Sequence, residues 1–160
     1  FFIIMKYTNL TKEQLAELHE EFSKFLATQQ IDFKEWEQIK KENPEMAEEE
    51  LSIFSDVVWE DVLSKTKYLD HISEHHINIF KCDETEISRM YIQLKDTTKS
   101  FLNLNDFDWF INNPLNEVFE YFRATKSYNS ERNMEIFKLI EMGSEISNGD
   151  LYNAINQLTD

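Results

Sequence analysis

Residues 76–94 read HINIFKCDETEISRMYIQL, and this stretch decides the fold class of the chain. Apolar and polar side chains alternate from His76 to Cys82 and again from Ile87 to Leu94, with an acidic connection between the two segments. A period of two, together with β-branched and aromatic residues, is typical of β-strands. The stretch therefore predicts two strands joined by a short connection, which form a small antiparallel β-hairpin or sheet in mid-sequence.

On both sides of this stretch the chain is predicted to be helical. Thr11 and Gln14 have the spacing of a capping box, and a second helix-start signal begins at Asp32. From about Pro44 into the seventies, apolar residues recur at spacings of three and four. This predicts either one long central helix or a helix that is broken near residues 64–67. The expected fold class is α+β and mostly α: a helical domain with one long central helix and the small sheet.

Length and composition indicate a single domain. The chain has 160 residues, of which 41% are hydrophobic and 14% aromatic, so it can bury a core of its own. Two glycines and two prolines leave few positions for tight turns, and long regular elements are expected. We expect one domain over residues 1–160, with residues 1–4 as a candidate extension before Met5.

The net charge excludes some classes of partner. Sixteen basic and 31 acidic residues give the chain a net charge of −15. Such a chain gains little from counterion release on a nucleic-acid backbone, and it is repelled by anionic lipid head groups. Direct binding to nucleic acid or to a membrane is therefore not expected. A basic partner protein, a bound cation or simple solubility remain as explanations of the acidity.

Cysteine content and the first residues predict a cytoplasmic protein. Cys82 is the single cysteine, so an internal disulfide is impossible and a reducing compartment is expected. The apolar run FFIIM is ended by Lys6 and is too short for a signal peptide or a membrane span. Since the sequence around Cys82 has no pattern of positive residues that indicates a lowered thiol pKa, Cys82 is expected to be a buried, inert thiol.

Common catalytic motifs are missing from the sequence. Glycine occurs only at positions 143 and 149, so the sequence contains neither the glycine-rich motif of a dinucleotide-binding loop nor that of a phosphate-binding P-loop. A single cysteine cannot build the two-cysteine zinc sites of deaminases or zinc fingers. The sequence thus predicts no catalytic residue and no cofactor, and it favours a non-enzymatic protein.

One histidine cluster is a candidate metal site. His71 and His75 are four residues apart, and on a helix they lie one turn apart, where two imidazoles can bind a divalent metal together. A third ligand must come from another element, such as His19 or an acidic side chain. The alternative function is therefore a metal-dependent enzyme with its site at His71 and His75. The competing interpretation is a solvated, polar helix end.

The acidic residues are concentrated in one part of the chain. Residues 13–61, called here the acidic face, hold fifteen carboxylates and four lysines, a net charge of −11. This field can steer a basic partner, either as a docking surface or as a mimic of nucleic acid, although acidic helices are often only solvated. Our functional hypothesis is a non-enzymatic module that docks a basic protein or assembly through these residues. Candidate partner-binding residues are Glu48, Glu49, Glu50, Trp59 and Glu60.

Two of these expectations have open alternatives. Trp59 lies off the main apolar stripe of its helix, which fits an interface anchor but also packing against a neighbouring helix. A smaller basic set follows late in the chain and is expected to pair with the acidic residues of the same molecule. This set consists of Arg123, Lys126, Arg132 and Lys138. The sequence does not indicate an oligomeric state.

Three segments carry a resemblance to a known family. They are MKYTNLTKEQLAELHEEFSKFLATQQI from Met5, EWEQIKKENPEMAEEELSIFSDVVWEDVL from Glu35 and ERNMEIFKLIEMG from Glu131. Together they resemble an uncharacterised family of small acidic proteins found in Bacteroidota. Some members carry a histidyl-tRNA synthetase label, but this chain lacks the glycine-rich and arginine-bearing motifs of that enzyme class. The resemblance implies a bacterial, cytoplasmic housekeeping or accessory protein and transfers no functional residue.

Overall fold

The computed structural model describes residues 5–159, which form two compact units. The N-terminal unit runs to Ser64, and the C-terminal unit begins at Lys65. Residues 1–4, the candidate extension, lie outside the described residues. The interpretation of the whole chain as a single domain stays a prediction.

The described part of the N-terminal unit contains four helices: α1 (Lys12–Glu17), α2 (His19–Thr28), α3 (Phe33–Glu42) and α4 (Pro44–Lys65). The capping box predicted at the start of α1 is confirmed. The hydroxyl of Thr11 accepts the amide of Gln14 at 3.1 Å, and the Gln14 side chain accepts the amide of Thr11 at 2.9 Å. At α3 the Asp32 carboxylate accepts the amide of Glu35 at 2.7 Å. The starts of α1 and α3 are therefore encoded locally.

Aromatic side chains hold the helices of the N-terminal unit together. The ring of Phe22 on α2 lies 5.1 Å from that of Trp36 on α3 and 5.0 Å from that of Phe54 on α4, measured between centroids. Such ring pairs stabilise a core beyond the area they bury. The buried residues around them are Leu26, Ile31, Trp36 and Ala47. The first half of α4 therefore packs on α2 and α3.

The C-terminal unit is built on a five-stranded sheet with strand order β4-β3-β2-β1-β5, and each neighbouring pair is antiparallel. The strands are β1 (Tyr68–Ile72), β2 (His76–Cys82), β3 (Glu86–Leu94), β4 (Phe119–Ser127) and β5 (Glu145–Ser147). Three helices accompany them: α5 (Leu104–Asn112), α6 (Arg132–Glu141) and α7 (Asp150–Thr159). The two strands predicted from residues 76–94 are confirmed as β2 and β3.

One face of this sheet carries the core of the C-terminal unit. Because side chains alternate along a strand, Ile77 and Ile79 point to the same side as their cross-strand partners Ile92 and Met90. All four are at most 2% exposed. Aromatic and aliphatic residues from α5, α7 and the loops complete this cluster, namely Phe101, Phe110, Phe119, Tyr152 and Ile155. We call this side the packed face of the sheet.

The opposite face, called here the open face, holds a different set of residues. Register places Phe80 of β2 opposite Arg89 of β3, and Arg89 opposite Ala124 of β4. The next row consists of His71, Asn78, Tyr91 and Phe122. Helix α6 joins β4 to β5 on this side, since its residue Leu139 and the following Met142 line one cavity together with Phe80 and Ala124. The middle of this face therefore combines aromatic, polar and small side chains.

The predicted fold class is wrong in its architecture. The described residues form seven helices and a five-stranded antiparallel sheet, and no single long central helix is found. Helix α4 ends at Lys65, and the expected continuation of that helix is strand β1. Leu69 and Ile72 fit a helical spacing, but Leu69 is completely buried as a strand residue paired with Phe80 and Ile146. Long-range pairing thus overrides the local pattern in this segment.

Candidate functional site

The structure does not place the histidine cluster on a helix. His71 lies in β1, and His75 lies in the turn between β1 and β2, so the spacing of four residues no longer brings the two imidazoles together on one helical face. The ring of His71 lies against Gly143: a Cβ at that glycine would be 3.0 Å from Nε2. Among residues 5–159, no group of three or more His, Cys, Asp or Glu side chains has the arrangement of a metal site.

His76, the third histidine of the cluster, belongs to an aromatic group on the open face. Its Nδ1 is 2.5 Å from the hydroxyl of Tyr91, and the two rings are stacked with 5.4 Å between centroids. Tyr91 in turn contacts Phe122 at 5.6 Å, and Phe122 is 47% exposed. Aromatic side chains therefore form an accessible strip across β2, β3 and β4.

The three consecutive glutamates on α4 have different environments. Glu48 is exposed and Glu49 is half-buried, whereas Glu50 is only 8% exposed. Oε2 of Glu50 has no hydrogen-bond partner in the part of the chain that the structure describes. Burial, with a contribution from the charge of Glu49, raises the pKa of Glu50 above its ordinary value. Of the three, Glu48 is thus the most accessible to a partner.

Glu60, another candidate, holds the N-terminal segment on α4. Its carboxylate accepts the hydroxyl of Tyr7 at 2.5 Å and forms an ion pair with Lys6 at 3.3 Å. Burial and the hydrogen bond to Glu60 raise the pKa of Tyr7 to about 12. Asp56, one turn earlier, accepts the backbone amides of the same two residues at 2.7 and 2.9 Å. Trp59 between them is half-buried, so this part of α4 has a structural role.

Most other carboxylates of the acidic face are exposed. Eight of these exposed glutamates form no ion pair with a lysine or arginine of residues 5–159. They are Glu13, Glu17, Glu20, Glu21, Glu35, Glu42, Glu45 and Glu48. The pair between Glu37 and Lys40, with 2.8 Å between Oε1 and Nζ, is a local contact within α3. Phe33 at the start of α3 is 77% exposed in the same acidic surroundings. The N-terminal unit therefore presents uncompensated negative charge together with an accessible aromatic ring.

The late basic residues are positioned by their own unit. Lys126 pairs with Glu135 of α6 at 2.8 Å between Nζ and Oε1. Arg123 donates to the side chains of Asn156 and Thr159. Arg132 donates to main-chain carbonyls of the C-terminal unit, for example that of Thr66 at 2.6 Å. These basic residues were expected to pair with the acidic face. The contacts named here are different, because each of these partners lies within residues 65–159.

A cavity of about 610 Å³ lies between α6 and the open face, and sequence reasoning did not predict it. Apolar side chains from both sides of the cavity line part of its surface: Phe80, Ile87, Ala124, Leu139 and Met142. Polar and charged side chains line the rest, and these are His71, Asn78, Arg89, Lys126, Glu135, Lys138 and Ser144. The cavity therefore combines an apolar floor with several cationic groups.

The cationic groups of this cavity are unequally compensated. Lys126 has Glu135 as its partner, and Glu135 also accepts the backbone amide of Asn129 at 2.9 Å. Within the described range 5–159, no carboxylate lies within ion-pair distance of Arg89 or Lys138. Three cations and one carboxylate thus give the cavity a local excess of positive charge on a chain whose net charge is −15.

Cys82 is buried, as expected from the alternation of its strand. Its side chain is 3% exposed, and burial raises the pKa of the thiol to about 12 although the nearby charge of Arg132 lowers it. A thiol of this kind is protonated at neutral pH, so it is a poor nucleophile and a poor metal ligand.

The described residues thus combine a helical, acidic unit with a unit built on a five-stranded antiparallel sheet that carries a cavity. The chain belongs to a family of unknown function, DUF6495, whose model matches residues 5–160. This confirms the resemblance to an uncharacterised family. Searches among curated proteins and among solved structures gave no match. No helix within residues 5–159 has the length and apolar character required to cross a membrane.

Proposed function

We propose that this chain is a non-enzymatic interaction module that presents the acidic face, residues 13–61, to a basic protein or assembly in the cytoplasm. The observation that carries this proposal is the set of exposed carboxylates on α1 to α4 that have no ion pair with a described lysine or arginine. A field of one sign steers an oppositely charged partner during encounter and sets the salt dependence of association. We also propose that the chain comes from a member of the Bacteroidota.

An accessible aromatic residue gives this surface a candidate anchor. Phe33 is 77% exposed on α3, and Glu37 follows it one helical turn later. Aromatic side chains supply much of the binding free energy at interfaces, while charges at the rim act mainly on the association rate. The matching partner therefore has an apolar pocket that is surrounded by lysine and arginine residues. Among the five candidate residues, Glu48 fits such a rim, whereas Glu50 is buried.

The proposal is tested by affinity capture with the tagged full chain from native cytoplasm at 50 and 300 mM salt. The screening length falls below about 10 Å above 0.1 M ionic strength, so the captured basic protein is expected to decrease strongly at the higher salt. A triple variant, Glu35→Gln with Glu45→Gln and Glu48→Gln, is expected to lose it at both salt concentrations. The matched control carries the same charge change on exposed residues of the C-terminal unit, Glu84→Gln, Glu117→Gln and Glu141→Gln.

The anchor is tested in the same experiment. Phe33→Ser is expected to reduce capture at least about tenfold, since anchor residues contribute 2 kcal/mol or more. Leu104→Ser removes a similarly exposed apolar side chain, 87% accessible, from the C-terminal unit and is expected to have no effect. Capture that is insensitive to salt, or that the acidic-face and control variants lower equally, would sink the proposal.

A further inference from the structure

We propose that the cavity between α6 and the open face binds a small amphipathic organic anion, in which a carboxylate or phosphate head group is joined to an apolar body. The cavity lies within the C-terminal unit, and this inference is independent of the docking function proposed for the acidic face. Its volume of about 610 Å³ falls in the range of small-molecule sites, roughly 300 to 1,000 Å³. Three features of the cavity favour such a ligand: its shape, its charge and the orientation of one arginine.

The shape of the cavity follows from the residues at the centre of the open face. Ala124 faces Arg89 across β3 and β4, and its side chain is too small to fill the space under α6. Phe80 and Ile87 form a buried apolar floor, 8% and 6% exposed. Met142 at the end of α6 is 72% exposed, and methionine is an adaptable side chain at binding surfaces. An apolar ligand body of variable shape fits such a lining.

The charge of the cavity selects an anion. Arg89 and Lys138 both line it, and neither has a carboxylate partner among residues 5–159. Lys126 shares its charge with Glu135 at 2.8 Å, which leaves a net excess of two positive charges. The net charge of the chain is −15, so its long-range field does not attract anions. An anion is therefore held in the cavity by direct contacts with its cationic side chains and not by long-range attraction.

Arg89 is already held in a defined orientation. Its Nε and Nη2 donate to Oδ1 of Asn78 at 2.9 and 2.5 Å, and its guanidinium lies 5.2 Å from the ring centroid of Tyr91. The remaining N–H groups of the fork are left for another acceptor. A guanidinium positioned in advance binds a carboxylate or phosphate with little further loss of side-chain entropy. The head group of the ligand is therefore assigned to Arg89 and Lys138.

The test uses the full chain and the fluorescent probe 1-anilinonaphthalene-8-sulfonate, which joins an aromatic body to an anionic group. Octanoate and octyl phosphate are then added as competitors, and octyltrimethylammonium serves as a cation with the same apolar chain. Displacement by either anion but not by the cation supports the proposal and identifies the preferred head group. Equal displacement by the cation, or no binding of the fluorescent probe, would overturn it.

Variants locate the binding to this cavity. Arg89→Gln with Lys138→Gln is expected to raise the Kd at least about tenfold, because charge-assisted hydrogen bonds are lost. Lys67→Gln with Lys95→Gln, two exposed lysines of the same unit outside the cavity lining, gives an equal charge change and is expected to leave the Kd unchanged. Equal losses in both double variants would show a general charge effect and contradict the assignment.

A second pair of measurements guards against variants that fail to fold. Ala124→Leu fills the cavity from an exposed strand position and is expected to abolish binding while the circular dichroism spectrum is retained. In the unaltered chain, titration with the better competitor is expected to shift the methyl signals of Met142 and Ile87. The methyl signals of Met46 and Ile111, which do not line the cavity, are expected to stay in place. Shifts confined to those two controls would also overturn the proposal.

Discussion

The ring of Tyr68 lies against the backbone of Gly149, so that a Cβ on this glycine would come within 2.5 Å of Cδ2 of the ring. Gly149 also has a φ of +88°, a conformation that residues with side chains rarely adopt. Tyr68 contacts Tyr152 as well, with 5.7 Å between ring centroids. The glycine therefore determines how α7 begins beside β1.

Gly149→Ala is expected to lower the free energy of unfolding by about 2 to 4 kcal/mol. The left-handed backbone costs about 1 to 2 kcal/mol for alanine, and displacement of the tyrosine ring adds a packing cost. Urea unfolding followed by circular dichroism measures this loss. Asn153→Ala, at an exposed position of α7, is the control and is expected to change stability by less than about 0.5 kcal/mol. A loss as small as that of the control would contradict the close approach.

Glu50→Gln is expected to stabilise the chain at neutral pH. The pKa of Glu50 is raised above its ordinary value of 4.5 by burial and by Glu49, so the folded state favours the protonated form. Protonation of Glu50 therefore stabilises the folded state. This contribution is fully present below pH 4.5 and is lost as the pH rises through the raised pKa of Glu50. The glutamine variant should therefore gain about 1 kcal/mol in free energy of unfolding at pH 7, because it removes an unpaired buried charge, and less at pH 4.

Glu48→Gln provides the control for this prediction. Glu48 is exposed two residues away and loses the same charge. Urea unfolding of both variants at pH 4 and pH 7 separates local burial from general charge repulsion. Equal gains for the two variants at both pH values would show that burial of Glu50 has no effect on stability.

Cys82 is expected to be unreactive in the folded chain. Because burial raises the pKa of its thiol to about 12, the thiolate is scarce at pH 8. Labelling with a disulfide reagent at pH 8 should be at least about 100-fold slower in buffer than in 8 M urea. Cys82→Ser with Ser130→Cys places an exposed thiol on the same unit and should react rapidly in both conditions. Rapid labelling of Cys82 in buffer would contradict its burial.

Arg132→Lys is expected to destabilise the chain by about 2 kcal/mol. The guanidinium donates to the main-chain carbonyls of Thr66, Asp83 and Cys82 at 2.6, 3.0 and 3.2 Å. A lysine cannot reproduce this fork, so the hydrogen bonds that one guanidinium donates to three carbonyls are lost together. Thermal unfolding measures the loss. The exposed Arg123→Lys is the control and is expected to lose less than half as much; similar losses would show that the carbonyl contacts are unimportant.

Local signals were sufficient for part of this fold. The strand from His76 to Cys82 was predicted with its observed bounds, because its alternation is regular and its polar connection is short. The cap at Thr11 is also confirmed. Such features depend on neighbouring residues only, so they can be recognised without knowledge of the tertiary structure.

Other elements depend on contacts that are distant in sequence. Strand β4 lies in a part of the chain that is predicted to be helical, and its side chains lose their alternation after Phe122, where they become exposed on both faces. Strand β5 has three residues and is defined by its pairing with Tyr68, Leu69 and Asp70. Neither element has a periodicity of its own that is long enough to decide its type.

The cavity could not be predicted for the same reason. Its lining comes from four strands and α6, and the register of β3 with β4 is needed to bring Arg89 next to Ala124. The basic residues Lys126 and Lys138 were noticed in the sequence, but their role was expected to be pairing with the acidic face. One local signal was present in the sequence. Lys126 and Glu135 are close enough along the chain to form an ion pair, and Lys138 then has no acidic partner from this segment.

Strand β4 lies at the edge of the sheet, and in the described residues no strand pairs with its outer side. The outward-pointing backbone groups of an edge strand can pair with another chain, which is a common route to aggregation. Glu120, Arg123 and Lys126 interrupt this edge with charges of both signs. A newly arriving strand would have to desolvate these charges, so they oppose edge-to-edge polymerisation of the sheet.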